Sequence, residues 1–200
     1  MASVPIRQIA IIRGVEPEQA VEVTRVFDES GFDVVEVPLN SPKPLESIRR
    51  MAEAFGDELL IGAGTVLTVK DVNDVAEAGG KLIVSPNTNP EVIRETKRLG
   101  LMSVPGVMTP TECFAALDAG ADALKLFNAG TVGPDTLKAY RAVLPKGTQV
   151  YAVGGVTLDN AKQWIEAGAD GYGLGTNVYQ AGMSLDEIKQ RACAFTNIWQ

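Results

Sequence analysis

Histidine is absent from this sequence of 200 residues. Imidazole is both the commonest metal ligand and the commonest general base in proteins. Its absence argues against a zinc hydrolase and against a catalytic triad built on histidine. Proton transfer in an enzyme of this composition would fall to carboxylate, lysine or tyrosine side chains.

Cysteines, long apolar runs and excess positive charge are also scarce. There are two cysteines, Cys113 and Cys193, which fits a reducing compartment. No apolar run is long enough to span a membrane, and the first residues lack a signal-peptide pattern. The formal net charge of −7 would repel a phosphate backbone or an anionic bilayer. We therefore expect a cytoplasmic protein that binds neither nucleic acid nor membranes.

Short aliphatic and β-branched runs alternate with longer amphipathic stretches, which is the pattern of β/α units around a parallel sheet. The eight runs are Gln8–Arg13, Asp33–Leu39, Leu59–Ala63, Lys81–Ser85, Leu101–Val104, Asp122–Phe127, Gln149–Val153 and Gly171–Leu174. Helices are predicted between them, for example at Pro17–Ser30, Lys70–Ala78 and Leu158–Ala167. Glycines that can end a helix precede five of the runs, namely Gly31, Gly79, Gly100, Gly120 and Gly168.

These units recur without a linker or a low-complexity segment between them. Eight parallel strands in this length can close into a barrel, whereas an open doubly wound sheet usually carries a glycine-rich nucleotide motif after its first strand. No such motif follows the first run. The sequence therefore predicts an α/β fold with a single (β/α)8 TIM-barrel domain over residues 1–200, with the open sheet as the alternative.

Two ionisable residues interrupt the apolar runs near the strand ends that carry the chemistry of such barrels. Lys125 alternates with Leu124 and Leu126, so it points into the barrel if the leucines pack against helices. Glu36 lies between two valines in the same way. A lysine in an apolar interior has a lowered pKa and can form an iminium with a ketone, while a carboxylate can move the protons. We predict that Lys125 and Glu36 form a catalytic pair, with a structural ion pair as the alternative.

Other strand ends carry candidate binding residues. Arg13 ends the first run and can bind a carboxylate through two parallel hydrogen bonds, or can be a solvated rim residue. Thr65, Pro86 and Asn87 would line the same mouth. Glycine-rich segments after the last two runs offer backbone N–H groups where barrels often hold phosphate, although tight turning alone would also explain them. The candidate phosphate-binding residues are Gly154, Gly155, Gly175 and Thr176.

Eight segments contain most of these residues. Taken in order along the chain, they resemble the sequence of a known enzyme family. They read IIRG, VEVPLNSP, IGAGTVL, LIVSPN, VPGVMTPTE, ALKLF, AVGGVT and GLGTNVY. Over nearly its whole length the sequence resembles the 2-keto-3-deoxy-6-phosphogluconate and 6-phosphogalactonate aldolases. The resemblance implies a class I aldolase with no metal or other cofactor, in which Lys125 forms the Schiff base and Glu36 shuttles protons. It also implies a homotrimer.

Within this family the chain is more similar to the phosphogalactonate branch. Asn40 stands where the gluconate enzymes have an arginine that binds the pyruvate carboxylate, whereas Arg13 and Val153 match the galactonate enzymes. Asn128 departs from the family, which usually has proline at that position, so the loop there is less constrained. The resemblance implies reversible cleavage of 2-dehydro-3-deoxy-6-phosphogalactonate, or its gluconate epimer, to pyruvate and glyceraldehyde 3-phosphate.

In this interpretation Arg13 and Thr65 hold the substrate carboxylate and the two glycine segments hold its phosphate. Two other functions fit the same residues. A phosphate-binding barrel isomerase or epimerase would use Glu36 as base and Lys125 as a charge, without a covalent adduct. A non-catalytic sensor of sugar phosphates would bind without turnover, because fold alone does not decide function.

Overall fold

The computed structural model describes residues 6–56 and 58–199. Within those ranges the strands are β1 (Gln8–Ile11), β2 (Val34–Pro38), β3 (Leu60–Gly64), β4 (Leu82–Val84), β5 (Met102–Val104), β6 (Gly106–Val107), β7 (Ala123–Leu126), β8 (Gln149–Val153) and β9 (Gly171–Leu174). The α-helices are α1 (Pro17–Glu29), α2 (Pro44–Phe55), α3 (Val69–Glu77), α4 (Pro90–Arg98), α5 (Pro110–Asp118), α6 (Ala129–Val132), α7 (Pro134–Arg141), α8 (Ala161–Glu166) and α9 (Leu185–Thr196). A 3-10 helix, Asn197–Trp199, follows α9. Each helix in this part of the chain is too short or too polar to cross a bilayer.

The strands form one parallel sheet that closes on itself. Its order is β5-β4-β3-β2-β1-β9-β8-β7-β6, and β5 and β6 follow one another in the chain with Pro105 between them. The two ends of this order are therefore one chain segment, which pairs with β4 on one side and with β7 on the other. Counting β5 and β6 as one strand gives eight, so the predicted TIM barrel is confirmed and the open sheet is excluded.

Most element boundaries lie within one or two residues of the predicted ones, and two differences are larger in their effect. The predicted fifth run ends at Val104, yet the chain pairs again as β6 after Pro105. Proline cannot donate a hydrogen bond to the ladder, which splits this strand, while the Pro105 carbonyl still accepts from the Lys125 N–H at 2.9 Å. Helix α8 begins at Ala161 rather than at Leu158, because residues 157–160 form a turn closed by the Asn160 side chain.

Buried apolar side chains form two layers, one between the sheet and the helices and one inside the barrel. Leu124 and Leu126 belong to the outer layer together with Trp164 of α8. The inner layer consists of Ile9, Val34, Leu82, Val84, Val104, Ala123, Tyr151 and Val153. Since side chains alternate along a strand, Lys125 faces the interior of the barrel.

A repeated glycine–aspartate arrangement ties helices to strands at the N-terminal end of the barrel. The five glycines predicted to end helices have φ between 75° and 101°, the left-handed conformation of a helix C-terminus. Two residues after three of them, Asp33, Asp122 and Asp170 each accept a backbone N–H of a neighbouring strand, from Gln8, Ser103 and Val150 respectively. These bonds fix the register at one end, and the chemistry lies at the other.

Candidate active site

A cavity of about 390 Å³ opens at the C-terminal ends of the strands. All eight residues predicted as site residues line it, namely Arg13, Glu36, Thr65, Lys125, Gly154, Gly155, Gly175 and Thr176. Pro86 lines it as well, whereas the expectation that Asn87 would do so is wrong. Asn87 is exposed and lies outside this lining, since the chain turns outward after Pro86.

Lys125 lies in the middle of β7 and is only 7% exposed. Burial lowers the pKa of its amine, because the charged form loses its hydration; Glu36 acts in the opposite direction and Arg13 in the same direction. The Nζ atom lies 4.8 Å from the centroid of the Phe127 ring. A lysine in these surroundings supplies more neutral amine near pH 7 than a surface lysine does.

Glu36 lies in β2 and is 1% exposed. Burial raises the pKa of its carboxyl from 4.5 to about 7, against the opposing influence of Lys125 and Arg13. Its Oε2 atom has no hydrogen-bond partner among the described residues. A carboxyl with a pKa near neutrality can both accept and return a proton at physiological pH.

Gly64, at the end of β3, makes room for this carboxyl. A Cβ atom built on Gly64 would overlap with the Glu36 carboxylate. The absence of a side chain at Gly64 is therefore a condition for the position of Glu36 beside the cavity.

Arg13 follows β1 and reaches the mouth of the cavity from the exposed side. Its Nη1 donates to Oδ1 of Asn40, which follows β2. This bond fixes one edge of the guanidinium group, and the remaining N–H groups stay available to an anion. Arg13 is close enough to Glu36 and Lys125 to influence the pKa of both.

Thr65 has a left-handed backbone conformation, with φ of 57°. That conformation is unfavourable for a β-branched residue and is usually held in place by its surroundings. Here the Gly64 carbonyl accepts from the Leu39 N–H at 2.8 Å, and the Val66 N–H donates to the Val84 carbonyl at 3.2 Å. The peptide groups on both sides of Thr65 are thus anchored to neighbouring strands, which directs its side chain to the cavity.

One wall of the cavity was missed by the sequence analysis. Tyr179, Gln180 and Ala181 lie in the segment after β9 and border the cavity opposite the strand ends. Tyr179 is 4% exposed despite its place in a loop. The segment GLGTNVY contained this tyrosine, but a loop without strand or helix periodicity gives no indication of which side chains turn inward.

Among the residues described, no group of three or more histidine, cysteine, aspartate or glutamate side chains is placed to hold a metal ion. The cationic side chains that line the cavity are Arg13 and Lys125. The arrangement is a buried amine and a buried carboxyl beside a cationic rim and two glycine-containing loops. Such a set of groups can form an imine, transfer protons next to it and bind an anion.

Known proteins resemble the chain over its whole length. A model of the aldolase family described as KDPG and KHG aldolase matches residues 4–191. The 2-dehydro-3-deoxy-6-phosphogalactonate aldolase of Escherichia coli (strain K12) is 47% identical over 192 residues, which cover 96% of this chain and 94% of that protein.

Solved structures agree with these matches. The "Native KDPGal structure" has a TM-score of 0.95 and 46% identity, and the match covers 100% of this chain and 96% of that one. The KDPG aldolase from Legionella pneumophila, with pyruvate captured at low pH as a covalent carbinolamine intermediate, has a TM-score of 0.85 and 25% identity. That match covers 95% of this chain and 94% of the other.

The buried carboxyl of Glu36 should make the protein less stable as the pH rises. Its pKa is about 7 in the folded state against an ordinary 4.5, so between these values the folded state binds more protons than the unfolded state. The stability that this group contributes is full below about pH 4.5 and is lost as the pH rises through about 7. The free energy of unfolding of Glu36→Gln should therefore rise relative to that of the unmodified protein by up to about 3 kcal/mol between pH 5 and pH 8.

Urea unfolding at both pH values measures this difference. Glu53→Gln, which removes an exposed carboxylate from α2, is the matched control and should follow the unmodified protein. A Glu36→Gln variant with the same loss of stability between the two pH values as Glu53→Gln would contradict the assignment of the raised pKa to Glu36.

Proposed function

This chain belongs to the KDPG and KHG aldolase family, and we propose that its cavity performs Schiff-base aldol cleavage of a 2-keto-3-deoxy-6-phospho sugar acid. The enzyme is a carbon–carbon lyase, as its relatives are. The observation that carries the mechanism is the burial of Lys125 and Glu36 against one cavity. Their pKa values are shifted toward neutrality from opposite sides, one downward and one upward.

The first step forms the covalent intermediate. The neutral amine of Lys125 attacks the C2 ketone to give a carbinolamine. The neutral carboxyl of Glu36 protonates the carbinolamine hydroxyl, which leaves as water, so that a protonated iminium and an ionised Glu36 remain. The water carries the ketone oxygen away, and the positive charge that develops on nitrogen is balanced by the carboxylate that Glu36 has become. Glu36 lies within electrostatic range of this nitrogen and stabilises the charge when it is ionised.

The second step breaks the bond between C3 and C4. Glu36, directly or through a water molecule, takes the proton of the C4 hydroxyl, and the electrons of the C3–C4 bond move into the iminium to give an enamine. Glyceraldehyde 3-phosphate leaves. The protonated Glu36 returns its proton to C3, and hydrolysis of the new iminium releases pyruvate and restores Lys125.

The two ends of the substrate carry negative charge and are bound differently. Arg13 and Thr65 hold the carboxylate. They line the cavity after β1 and β3, the two strands that pair with β2, which carries Glu36. Gly154, Gly155, Gly175 and Thr176 hold the phosphate through backbone N–H groups. An acidic protein thereby binds a dianion without a cluster of lysines.

The substrate that the residues favour is 2-dehydro-3-deoxy-6-phosphogalactonate, with the gluconate epimer as the alternative. The 47% identical relative is named for the galactonate compound. Asn40, in place of an arginine, donates no charge of its own and instead accepts from Arg13. The cation for the carboxylate is then Arg13, as in the galactonate branch that the sequence resembles.

We also propose that the protein is a cytoplasmic homotrimer. Each subunit is one aldolase domain over residues 1–200. Cys113 and Cys193 are free thiols, which suits a reducing compartment. Several large apolar side chains are exposed around the loops before α3 and α5 and on α5 itself. They are Leu67, Val69, Met108 and Phe114. β3, β4 and the β5–β6 segment are neighbours in the barrel, so these side chains share one sector that a second subunit can cover.

Borohydride reduction in the presence of pyruvate should add one pyruvate-derived group at Lys125, because reduction traps an iminium. Glu36→Gln should still form this adduct but exchange the methyl protons of pyruvate far more slowly, since imine formation and proton transfer are separate roles. Peptide mass spectrometry and proton NMR in D2O measure the two results. An unmodified Lys125 in an active enzyme would exclude the Schiff base and favour the isomerase, and an unmodified Lys125 in a protein without turnover would favour the sensor. Unchanged exchange in Glu36→Gln would remove Glu36 from the shuttle.

Arg13→Ala should weaken pyruvate binding about ten- to a hundredfold, because a charge-assisted bidentate contact contributes roughly 1.5–3 kcal/mol. The pyruvate concentration that gives half-maximal trapping measures this change. A ketone without a carboxylate should bind equally well to both proteins. Arg13→Lys should recover only part of the loss, since an ammonium group lacks the planar fork. Equal weakening of both ligands, or no weakening of either, would show that Arg13 is a structural rim residue.

Sedimentation equilibrium should give three times the monomer mass of 21.2 kDa. Phe114→Glu should shift this equilibrium toward monomers, because it places a charge in the apolar face of α5. Val143→Glu is the matched control, since Val143 is 58% exposed but follows α7. A trimer that tolerates Phe114→Glu and is disrupted by Val143→Glu would place the interface elsewhere.

A further inference from the structure

Three consecutive carbonyl groups of the loop after β8 are each held by a donor from another part of the chain. The Gly154 carbonyl accepts from the Gly130 N–H at 2.8 Å. The Gly155 carbonyl accepts from Nδ2 of Asn160 at 2.9 Å, and the Val156 carbonyl accepts from Nδ2 of Asn177 at 2.6 Å. Gly130 and Asn160 lie outside the lining of the cavity, so the first two carbonyls point away from it.

The orientation of these carbonyls fixes the orientation of the N–H groups that follow them. In a planar trans peptide the N–H of the next residue points opposite to the carbonyl. The N–H groups of Gly155 and Val156 therefore point toward the cavity side. Within the described residues, neither N–H donates to a protein acceptor, whereas the next N–H, of Thr157, donates to Oδ1 of Asn160.

Gly154 and Gly155 permit this arrangement because their φ values are 86° and 78°, where side chains are rarely tolerated. A Cβ atom on Gly155 would lie 2.8 Å from the Cα of Gly130. The loop is thus pressed against the start of α6, where its first carbonyl finds a donor.

The carbonyl groups of the turn after β9 are held by donors in the same way. The Gly175 carbonyl accepts from the N–H groups of Val178 and Tyr179, and the Thr176 carbonyl accepts from Nε2 of Gln180. These bonds leave the N–H groups of Thr176 and Asn177 on the opposite side of their peptides. The side chain of Asn177 then crosses to Val156 and joins the two loops.

We propose that Asn160 and Asn177 are positioning residues for one anion-binding cradle formed by the N–H groups of both loops. Asn160 turns the Val156 N–H toward the cavity, and Asn177 holds the loop after β8 against the turn after β9. This inference rests on the proposed function, which places the substrate phosphate at these loops. A peptide that rotated would turn a carbonyl oxygen toward the phosphate and replace attraction with repulsion. Asn160 opposes that rotation in the peptide between Gly155 and Val156, because rotation would leave its side-chain donor unpaired. Asn177 holds the next peptide, between Val156 and Thr157, whose N–H donates to Asn160. Asn177 also fixes the distance between the loops.

Condensation of pyruvate with glyceraldehyde 3-phosphate, and with unphosphorylated glyceraldehyde, tests this role. Asn177→Ala should raise the KM for glyceraldehyde 3-phosphate about five- to tenfold, since one orienting hydrogen bond is worth on the order of 1 kcal/mol. The inhibition constant of inorganic phosphate should rise by a similar factor. The kcat/KM for glyceraldehyde and the exchange of pyruvate methyl protons should stay unchanged, because neither involves a phosphate.

Asn160→Ala should have the same selective effect and decides the question if Asn177→Ala does not fold. Asn73→Ala is the matched control, since Nδ2 of Asn73 also donates to a backbone carbonyl, that of Val69 at 2.8 Å, but on α3 outside the cavity. It should behave as the unmodified enzyme in every assay.

Two results would overturn the positioning role while leaving the proposed function intact. One is an unchanged KM for glyceraldehyde 3-phosphate in both variants. The other is an equal loss with both aldehydes, which indicates general damage to the barrel. An unmodified enzyme that uses both aldehydes equally well and is not inhibited by phosphate would instead refute the phosphate assignment of the proposed function, and the positioning role with it.

Discussion

The loss of hydration of one amine and one carboxyl inside the same barrel is the constraint on which the site depends. Lys125 and Glu36 are both almost fully buried, and burial favours the neutral form of each. Each group also favours the charged form of the other, which opposes both shifts. A proton can therefore move between them and a substrate at little cost, which is the condition for imine chemistry without a metal.

Closure of the sheet creates that environment. The segment around Pro105 pairs with β4 on one side and with β7 on the other, and β7 carries Lys125. The inner apolar layer fills the barrel below the pair, and the hydrogen bonds of the three aspartates fix the register at that end. The C-terminal end is thus the part of the barrel where an interior group can meet a substrate.

The acidic character of the chain is compatible with an anionic substrate because the recognition is local. One arginine stands at the proposed carboxylate end, and backbone N–H groups stand at the proposed phosphate end. Backbone donors bring no counter-charge that would have to be balanced elsewhere, but they are effective only if their carbonyls are turned away. In the proposed cradle, the side chains of Asn160 and Asn177 are therefore as necessary as the glycines.

The sequence alone determined which residues face the cavity wherever a strand period could be read. Leu124 and Leu126 oriented Lys125, neighbouring valines oriented Glu36, and the glycines before the runs marked the helix ends, because these are local properties of backbone geometry. Only the tertiary structure decided the split strand at Pro105, the late start of α8, the turn that takes Asn87 away from the cavity and the wall formed by Tyr179. It also decided the bonds of Asn160 and Asn177. Each of these depends on which distant segment supplies a partner once the barrel has closed, and loops have no period that records such partners in the sequence.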